Sequence, residues 1–425
     1  MVAARLVVGA MVVRAAVGAP EAPRVNVSVA WHAPFYSGGG YCSEATTFVV
    51  ALGQMGVPIS IEPHGDGFNG NYYEQMDPGT AQALRALGSR PPSPARVTIC
   101  HSEPGAWHVL DGPAWPSSAC PRRDGGRPYV VGRTMFETDR LPSGWSKRLN
   151  AVDEVWVPTD FHRDIFEREG VRHVRVVGEP VDTEAFSSEG PTFAIPGATP
   201  GAFVVLSVFK WEKRKGWDVL LRAWRDAFAP TDAAVLVLLT SAYHSGSNFE
   251  ESLDRFVVET LGEAEGLLAL AKIVVLSEVS QRDLASLYRA ADLVALPTRG
   301  EGWGRPHVEA MASGTPVAAT NWSGPTAYLD ASNGYPVDVA GLVDVGDGPF
   351  ADHKWAEPDA DHLARILRRA RDDPAERAAL GAKARADMVA RFAPDKMASD
   401  VAAHLARIER ALPRDARRSP RRNEF

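Results

Sequence analysis

The chain has 425 residues, 45% of them hydrophobic and 23% charged, and a formal net charge of −7. At roughly 100 to 200 residues per domain, this length points to two or three domains with buried cores, two being the simpler reading, and the composition excludes wholesale disorder. The acidic balance supplies no global field for steering toward nucleic acid, so no nucleic-acid partner is expected.

The N-terminal segment, residues 1–23, carries Arg5 and Arg14, no acid before Glu21, and an apolar run from Leu6 to Val13. That run is too short to span a bilayer, and no spanning segment is expected elsewhere. The segment fits equally a secretory signal cleaved after Val17-Gly18-Ala19, an organelle transit peptide, or an extension before the first strand. A cytoplasmic location is favoured, with targeting left open.

From Arg24 strand and helix signals alternate. VNVSVAW, a glycine loop at Gly38 to Gly40 and a helical stretch from Ser43 to Met55 open a parallel α/β unit. Further strands are expected at 96–100, 129–132, 154–157 and 173–177, with a helix at 161–169. Cys42, Cys100 and Cys120 are few, odd in number and widely spaced, which predicts buried thiols rather than a disulfide framework. The polar, proline- and glycine-bearing stretch from Ser187 to Gly201 separates a first domain, 24–187, from a second, 188–394.

The second block predicts strands at 203–209, 234–239, 273–276, 293–296 and 316–319, with helices at 217–228, 248–263, 281–290 and 306–312. Amphipathic helices follow at 359–372 and 374–392. A terminal helix, 395–412, is placed where it can cross back to the first domain, and 413–425 is a basic tail. The fold class is α/β: two doubly wound, Rossmann-like domains facing across a cleft. Ligands in such sheets bind at the carboxyl ends of the strands, near a topological switch.

The most informative segment is ADLVALPTRGEGWGRPHVEAMASGTPVAATNWSGPTAYL. It reads as a strand, a loop holding Arg299, Gly300, Glu301, Gly302, Trp303 and Gly304, then a helix with Pro306 in its first turn and Gly314 as its C-terminal cap. The glycines let backbone N–H groups approach a ligand beside a helix N-terminus that favours phosphate. Glu301 and Glu309, read as lying in the loop and the first helical turn, can accept hydrogen bonds from the hydroxyls of a sugar and a ribose. A tight turn plus a dipole-complementing glutamate would explain each residue alone but not the combination.

Two glutamates separated by seven residues, within EGWGRPHVEAMASGTPVAAT, resemble the signature of glycosyltransferase family 4, the group 1 glycosyl transferases. That resemblance implies the two-domain GT-B fold and a nucleotide-sugar donor. It further implies retention of anomeric configuration, generally without a metal, and no cofactor beyond the donor substrate. Carried over by residue, it implies that Glu301 contacts the donor hexose, Glu309 the ribose, and the backbone of Gly302, Trp303, Gly304 and Arg305 the sugar and phosphate.

Other segments fit the same resemblance. SVFKWEKRKGW supplies Lys210 and Lys215, spaced as the pair that neutralises the donor pyrophosphate in the family, with lysine standing at 210 where the family has arginine. Lys213 and Arg214 between them fit a solvated surface equally well. The backbone around Glu278 and Val279 would meet the nucleobase. Val181, Asp182 and Thr183 resemble the family's crossover between domains. Gly39 and Gly40 occupy the place of the loop that touches donor phosphates.

HSEPGAW holds the expected contact with the transferred sugar, at His101 or Ser102 depending on the alignment, with His101 favoured. Glu103 and Glu137, with Asp139, fall on the acceptor side. The catalytic set is therefore His101, Glu301 and Lys215. Asp359-Ala360-Asp361 is the only Asp-x-Asp and opens a helix, where aspartates cap, so no metal site is expected.

The reaction implied is hexose transfer to a hydroxyl of an unknown glycan, lipid or small molecule, by attack on the face the leaving phosphate departs from. A sugar-nucleotide epimerase and a catalytically silent carbohydrate-binding protein are the alternatives. A nicotinamide oxidoreductase is disfavoured because the first strand lacks the dinucleotide glycine spacing. Donor base, sugar, acceptor and oligomeric state stay open.

Overall fold

A computed structural model describes residues 23–90, 95–110, 112–113, 117–122, 127–242, 248–277 and 279–413. The N-terminal segment before residue 23, the tail after 413 and Glu278 lie outside the described residues. In chain order the first half contains β1 (Val29–Ala33), α1 (Gly40–Gln54), β2 (Ile59–Pro63), α2 (Gly70–Gln75), α3 (Pro78–Gly88), β3 (Val97–His101), β4 (Tyr129–Arg133), α4 (Trp145–Leu149), β5 (Glu154–Val157), α5 (Asp160–Arg168) and β6 (Val174–Val176). The second contains β7 (Phe203–Trp211), α6 (Trp217–Ala227), β8 (Ala234–Ala242), α7 (Phe249–Glu259), β9 (Lys272–Leu276), α8 (Leu284–Ala290), β10 (Leu293–Leu296), α9 (Arg305–Ala312), β11 (Val317–Thr320) and β12 (Tyr335–Val337). A hairpin, β13 (Val339–Asp344) with β14 (Lys354–Pro358), precedes α10 (Ala360–Asp372), α11 (Pro374–Asp387) and α12 (Pro394–Ala411).

The strands form two parallel six-stranded sheets, ordered β2-β1-β3-β4-β5-β6 and β12-β11-β10-β7-β8-β9. Both are buried on two faces, which is why their strands read as apolar runs rather than alternating ones: all five residues of β3 and the first five of β7 are buried. In each sheet the chain lays strands to one side of its first strand and then crosses to the other, between β1 and β3 in one and between β7 and β10 in the other. Those two switch points open crevices at the strand carboxyl ends, and the cleft between the sheets lies there.

Helix starts follow local chemistry. Asp77, Thr159 and Asp359 accept backbone N–H groups from the first turns of α3, α5 and α10, each cap contributing about 1 kcal/mol. Asp359 is thus used as a cap. The stretch after β6 runs without helix or strand along the second unit, where Arg289 of α8 donates to the carbonyls of Ser187 and Pro191. The chain then returns: α12 packs on α1, and its Arg407 donates to Glu154 of β5 at 2.6 and 2.7 Å. The expected helix over 374–392 ends at Asp387, where a π-turn, Met388–Phe392, lets Val181 donate to the Phe392 carbonyl.

Two cysteines correct the expectation of free thiols. Cys100 at the end of β3 and Cys120 form a disulfide with a Cα–Cα separation of 5.7 Å, and Cys42 alone is a buried thiol. Spacing along the chain could not reveal this pairing, because the loop after Cys100 folds back over the strand it leaves.

The two units also touch across the cleft. Asp139 and Lys354 exchange hydrogen bonds, the Asp139 N–H reaching the Lys354 carbonyl at 2.9 Å and the Lys354 N–H reaching the Asp139 carboxylate at 2.7 Å. Thr138 pairs with His353 at 2.8 Å, and Phe136 packs edge-on against Phe350. The β13–β14 hairpin therefore clamps the loop after β4.

Candidate active site

A cavity of about 1010 Å³ occupies the cleft where the two switch points face each other. Its lining comes from α2 and the loops after β1, β2, β3, β4 and β6 on one side, and from those after β7, β8, β9 and β10 with the start of α9 on the other.

The turn after β7 reaches the cavity because Gly216 stands at φ +66°, where a Cβ would lie 1.9 Å from the Pro297 carbonyl oxygen. Only glycine permits this approach of the turn to the end of β10. Arg299 then ties the two loops together. Its guanidinium donates to both Asp218 oxygens at 2.8 Å, to Glu357 at 2.7 and 3.0 Å, and to the Lys213 carbonyl at 2.7 Å. Arg299 is thus a buried fastening, not a ligand group.

Against this frame Lys215 donates from Nζ to Glu301 Oε1 at 2.7 Å, and Arg214 donates to Glu301 Oε2 at 3.3 Å. Burial would raise the Glu301 carboxyl, but Lys215 and Arg214 outweigh it and hold it down at about 2. Arg214, which fitted a solvated surface in the sequence, is instead built in: it also donates to the Gly300 carbonyl and Glu212 and faces Glu137 at 3.7 Å. Lys213 is exposed. Lys210 lines the cavity from the end of β7.

Glu301 is held from behind. Its N–H donates to Ser323 Oγ at 2.9 Å and its carbonyl accepts the Gly324 N–H at 3.0 Å. Ser323 adopts φ +59°, a conformation that costs free energy in a non-glycine residue and marks a site whose geometry is imposed by its surroundings.

Gly302 and Gly304 line the cavity; a Cβ on Gly302 would fall 2.2 Å from Met135 Sδ across the cleft, so close contact of the two units depends on its absence. Trp303 borders the cavity but is 2% exposed, its indole packed against Tyr328 and Phe392. The ring anchors the loop in the core. Arg305 donates to the Pro180 carbonyl and lies 3.7 Å from Glu309.

Glu309 falls in the second turn of α9, not the first, because the helix begins at Arg305. It accepts from Tyr288 Oη at 3.1 Å, and burial raises its carboxyl. Gly39 caps α1 and Gly40 opens it, both on the cavity, and Val279 lines the opposite side. Glu278 is outside the described residues.

The first unit overturns one assignment. His101 is fully buried and does not line the cavity: Trp31 donates to its Nδ1 at 3.1 Å, and its Nε2 donates to Glu44 at 2.9 Å. Arg133 shares the same carboxylate at 2.6 Å, and although burial opposes it, Arg133 and His101 bring Glu44 down to about 2. Both ring nitrogens are spent inside the core, so His101 braces β3 against α1. Ser102, the other alignment, is also buried, receiving the Trp107 indole N–H at 3.1 Å.

Glu103 and Glu137 do line the cavity, and Asp139 serves the hairpin clamp. Burial, then Glu137 and Asp66, pushes Glu103 up to about 7.

Two further cavity residues carry no clear sequence signature. Glu179 follows β6 and is 2% exposed; burial and then Glu44 raise it well above the usual carboxylate range. His307 is 1% exposed, lowered to about 4 by burial, and neither ring nitrogen has a hydrogen-bond partner among the described residues. A neutral ring there presents one donor and one acceptor to whatever fills the cavity.

Two doubly wound sheets with their switch points face to face, and cations, paired glutamates and a glycine-flanked helix N-terminus between them, define a GT-B protein. Residues 201–349 match the family described as Glycosyl transferases group 1. D-inositol 3-phosphate glycosyltransferase of Mycolicibacterium smegmatis is 32% identical over 252 residues, 58% of this chain and 50% of that protein. D-inositol 3-phosphate glycosyltransferase 2 of Catenulispora acidiphila is 33% identical over 183 residues, 40% of this chain and 41% of that protein. The chain thus spans half or less of the length of these relatives.

Among solved structures, sucrose-phosphate synthase from Thermosynechococcus elongatus superposes with a TM-score of 0.62 at 17% identity, covering 91% of this chain and 100% of that one. Anabaena HepE in complex with UDP and glucose gives 0.59 at 17% identity, covering 90% and 100%. At such identities the likeness is one of fold.

Proposed function

We propose that the chain is a retaining glycosyltransferase that takes a hexose from a nucleotide diphosphate sugar, with UDP the first candidate nucleotide, and passes it to an acceptor hydroxyl without a metal. The observation that carries this reading is the meeting of Glu301 with Lys215 and Arg214 on the cavity wall, beside the N-terminus of α9. Lys215, Arg214 and Lys210 supply positive charge where a diphosphate leaves, and fixed charge aimed at a leaving group is usually the largest catalytic contribution. Glu301, ionised and anchored, accepts hydroxyl hydrogens of the hexose, and Glu309 those of the ribose.

In the step proposed, the acceptor oxygen bonds to the anomeric carbon on the face from which the diphosphate departs. The bond from that carbon to the diphosphate oxygen breaks, its electron pair leaves with the nucleoside diphosphate, and the acceptor proton passes to the departing phosphate oxygen. No protein nucleophile takes part. His101, buried away from the cavity, has no role in this step.

A thermal-unfolding screen against UDP, GDP, ADP and their glucose conjugates tests the donor assignment. A ligand at a hundred times its Kd stabilises by about 2.7 kcal/mol, and the true donor should do so. Transfer assays with the responding donor should show loss of activity in Lys215→Ala and Glu301→Ala. Full activity in both variants, or no response to any nucleotide, would sink the reading.

A further inference from the structure

The two walls of the cavity differ in charge. Lys210, Arg214, Lys215 and Arg305 all come from the second unit. The described residues that line the cavity from the first unit and the segment up to Glu179 include Asp66, Glu103, Glu137 and Glu179, and no lysine, arginine or histidine.

These carboxylates are largely left to the cavity. Among the described residues the Glu137 carboxylate has only the distant share of Arg214, at 3.7 Å. Asp66 lies beside Gly39, 3.8 Å from where a Cβ would stand on that residue. Glu137 and Asp66 repel the Glu103 carboxylate and raise Glu103 further than burial alone would. Glu179 is buried, and its Oε1 has no hydrogen-bond partner among the described residues; the nearest cation, Arg305, stands 3.9 Å from the other oxygen. A buried acceptor left in this state gains free energy when a donor group reaches it. Hydroxyl and ammonium hydrogens satisfy carboxyl oxygens, whereas a phosphate brought against this wall meets like charge, and the cavity's lysines and arginines among the described residues stand on the facing wall.

Resting on the glycosyltransferase reading above, we propose that this wall is the acceptor subsite and that it takes a sugar or cyclitol free of phosphate and other anionic groups. The relatives named for D-inositol 3-phosphate act, by name, on a phosphorylated cyclitol. The acceptor wall here is built for an uncharged or amine-bearing polyol instead.

The test uses the full chain at pH 7.5 and low salt, UDP-glucose as donor, and glucose, glucosamine, myo-inositol, glucose 6-phosphate and myo-inositol 1-phosphate as acceptors. Products are read by mass spectrometry, and UDP binding is measured separately by calorimetry. Glucose, glucosamine or myo-inositol should be used with kcat/KM at least tenfold above its phosphorylated counterpart. Glu103→Lys should shrink that preference at least tenfold, through KM for the phosphorylated acceptors. A wild-type preference for the phosphorylated acceptors overturns the proposal, as does UDP binding without transfer to any unphosphorylated polyol or an unchanged preference in Glu103→Lys. If UDP and UDP-glucose fail to bind, the same acceptors are run with whichever of GDP-glucose or ADP-glucose binds and the same outcomes apply; binding of none of the three removes the donor reading itself, and this proposal with it.

Discussion

Replacing Glu301 by glutamine separates two roles that the wild-type residue combines. In the folded protein its carboxyl is held at about 2 against an ordinary 4.5, because Lys215 and Arg214 outweigh the cost of burial. A lowered acid means that the unfolded chain binds more protons between those values, so the stabilisation is complete above pH 4.5 and is lost as pH falls toward 2. At about 1.4 kcal/mol per pH unit, the charge contributes roughly 3 kcal/mol at pH 7 and roughly 2 kcal/mol at pH 3.5. Urea unfolding followed by tryptophan fluorescence at both pH values should show Glu301→Gln less stable by about these amounts, with the gap narrowing in acid.

The same variant leaves Lys215 and Arg214 in place with less negative charge beside them, so UDP should bind at least as tightly as to the wild type. Hexose transfer should fall by at least about a hundredfold, the scale on which losing one charge-stabilising group acts. A variant with unaltered stability at both pH values would refute the ion-pair argument, and one with unaltered transfer would refute the assigned role.

Three other substitutions probe different parts of the structure. Because burial, Glu137 and Asp66 raise Glu103 to about 7, wild-type stability should decline as pH rises from 4.5 through 7, and Glu103→Gln should flatten that decline in a pH series of thermal midpoints. Gly216→Ala puts a Cβ 1.9 Å from the Pro297 carbonyl at a left-handed φ, and should cost more than the roughly 1 to 2 kcal/mol of that conformation alone while weakening UDP binding in calorimetry. His101→Ala leaves Glu44 and Trp31 short of a buried partner, so it should lower the unfolding free energy by about 1 to 3 kcal/mol. KM for the donor should stay near wild type in that folded variant, and a selective rise in donor KM would return His101 to the site.

Residues 293–320 were legible from sequence because their signals are local. A strand of apolar residues, glycines that open the loop, Pro306 inside the helix start and Gly314 past its end act over a few positions, and β10, α9 and β11 lie within a residue of where those signals put them. The two-sheet plan was legible for a similar reason, since strands buried on both faces leave continuous apolar runs. The short strand β2, the edge strand β12 and the β13–β14 hairpin carry weaker runs, and their places depend on the neighbours that pair with them.

What tertiary structure decided is the direction and company of each polar side chain. HSEPGAW could not say which residue faces the cleft, because the strand's last residue, His101, points into the core between Trp31 and Glu44 while Glu103, two positions on, lines the cavity. Arg214 looked like surface until Glu301, Glu212 and Glu137 surrounded it, and Cys100 found Cys120 only through a loop folding back. Backbone conformation answers to near neighbours in the chain, whereas charge pairing, burial and disulfide geometry depend on residues brought together from far along it. The cavity loop around Glu301 could therefore be read along the sequence, as could Glu103 and Glu137 as cleft residues, whereas Glu179 and His307 emerge only in three dimensions.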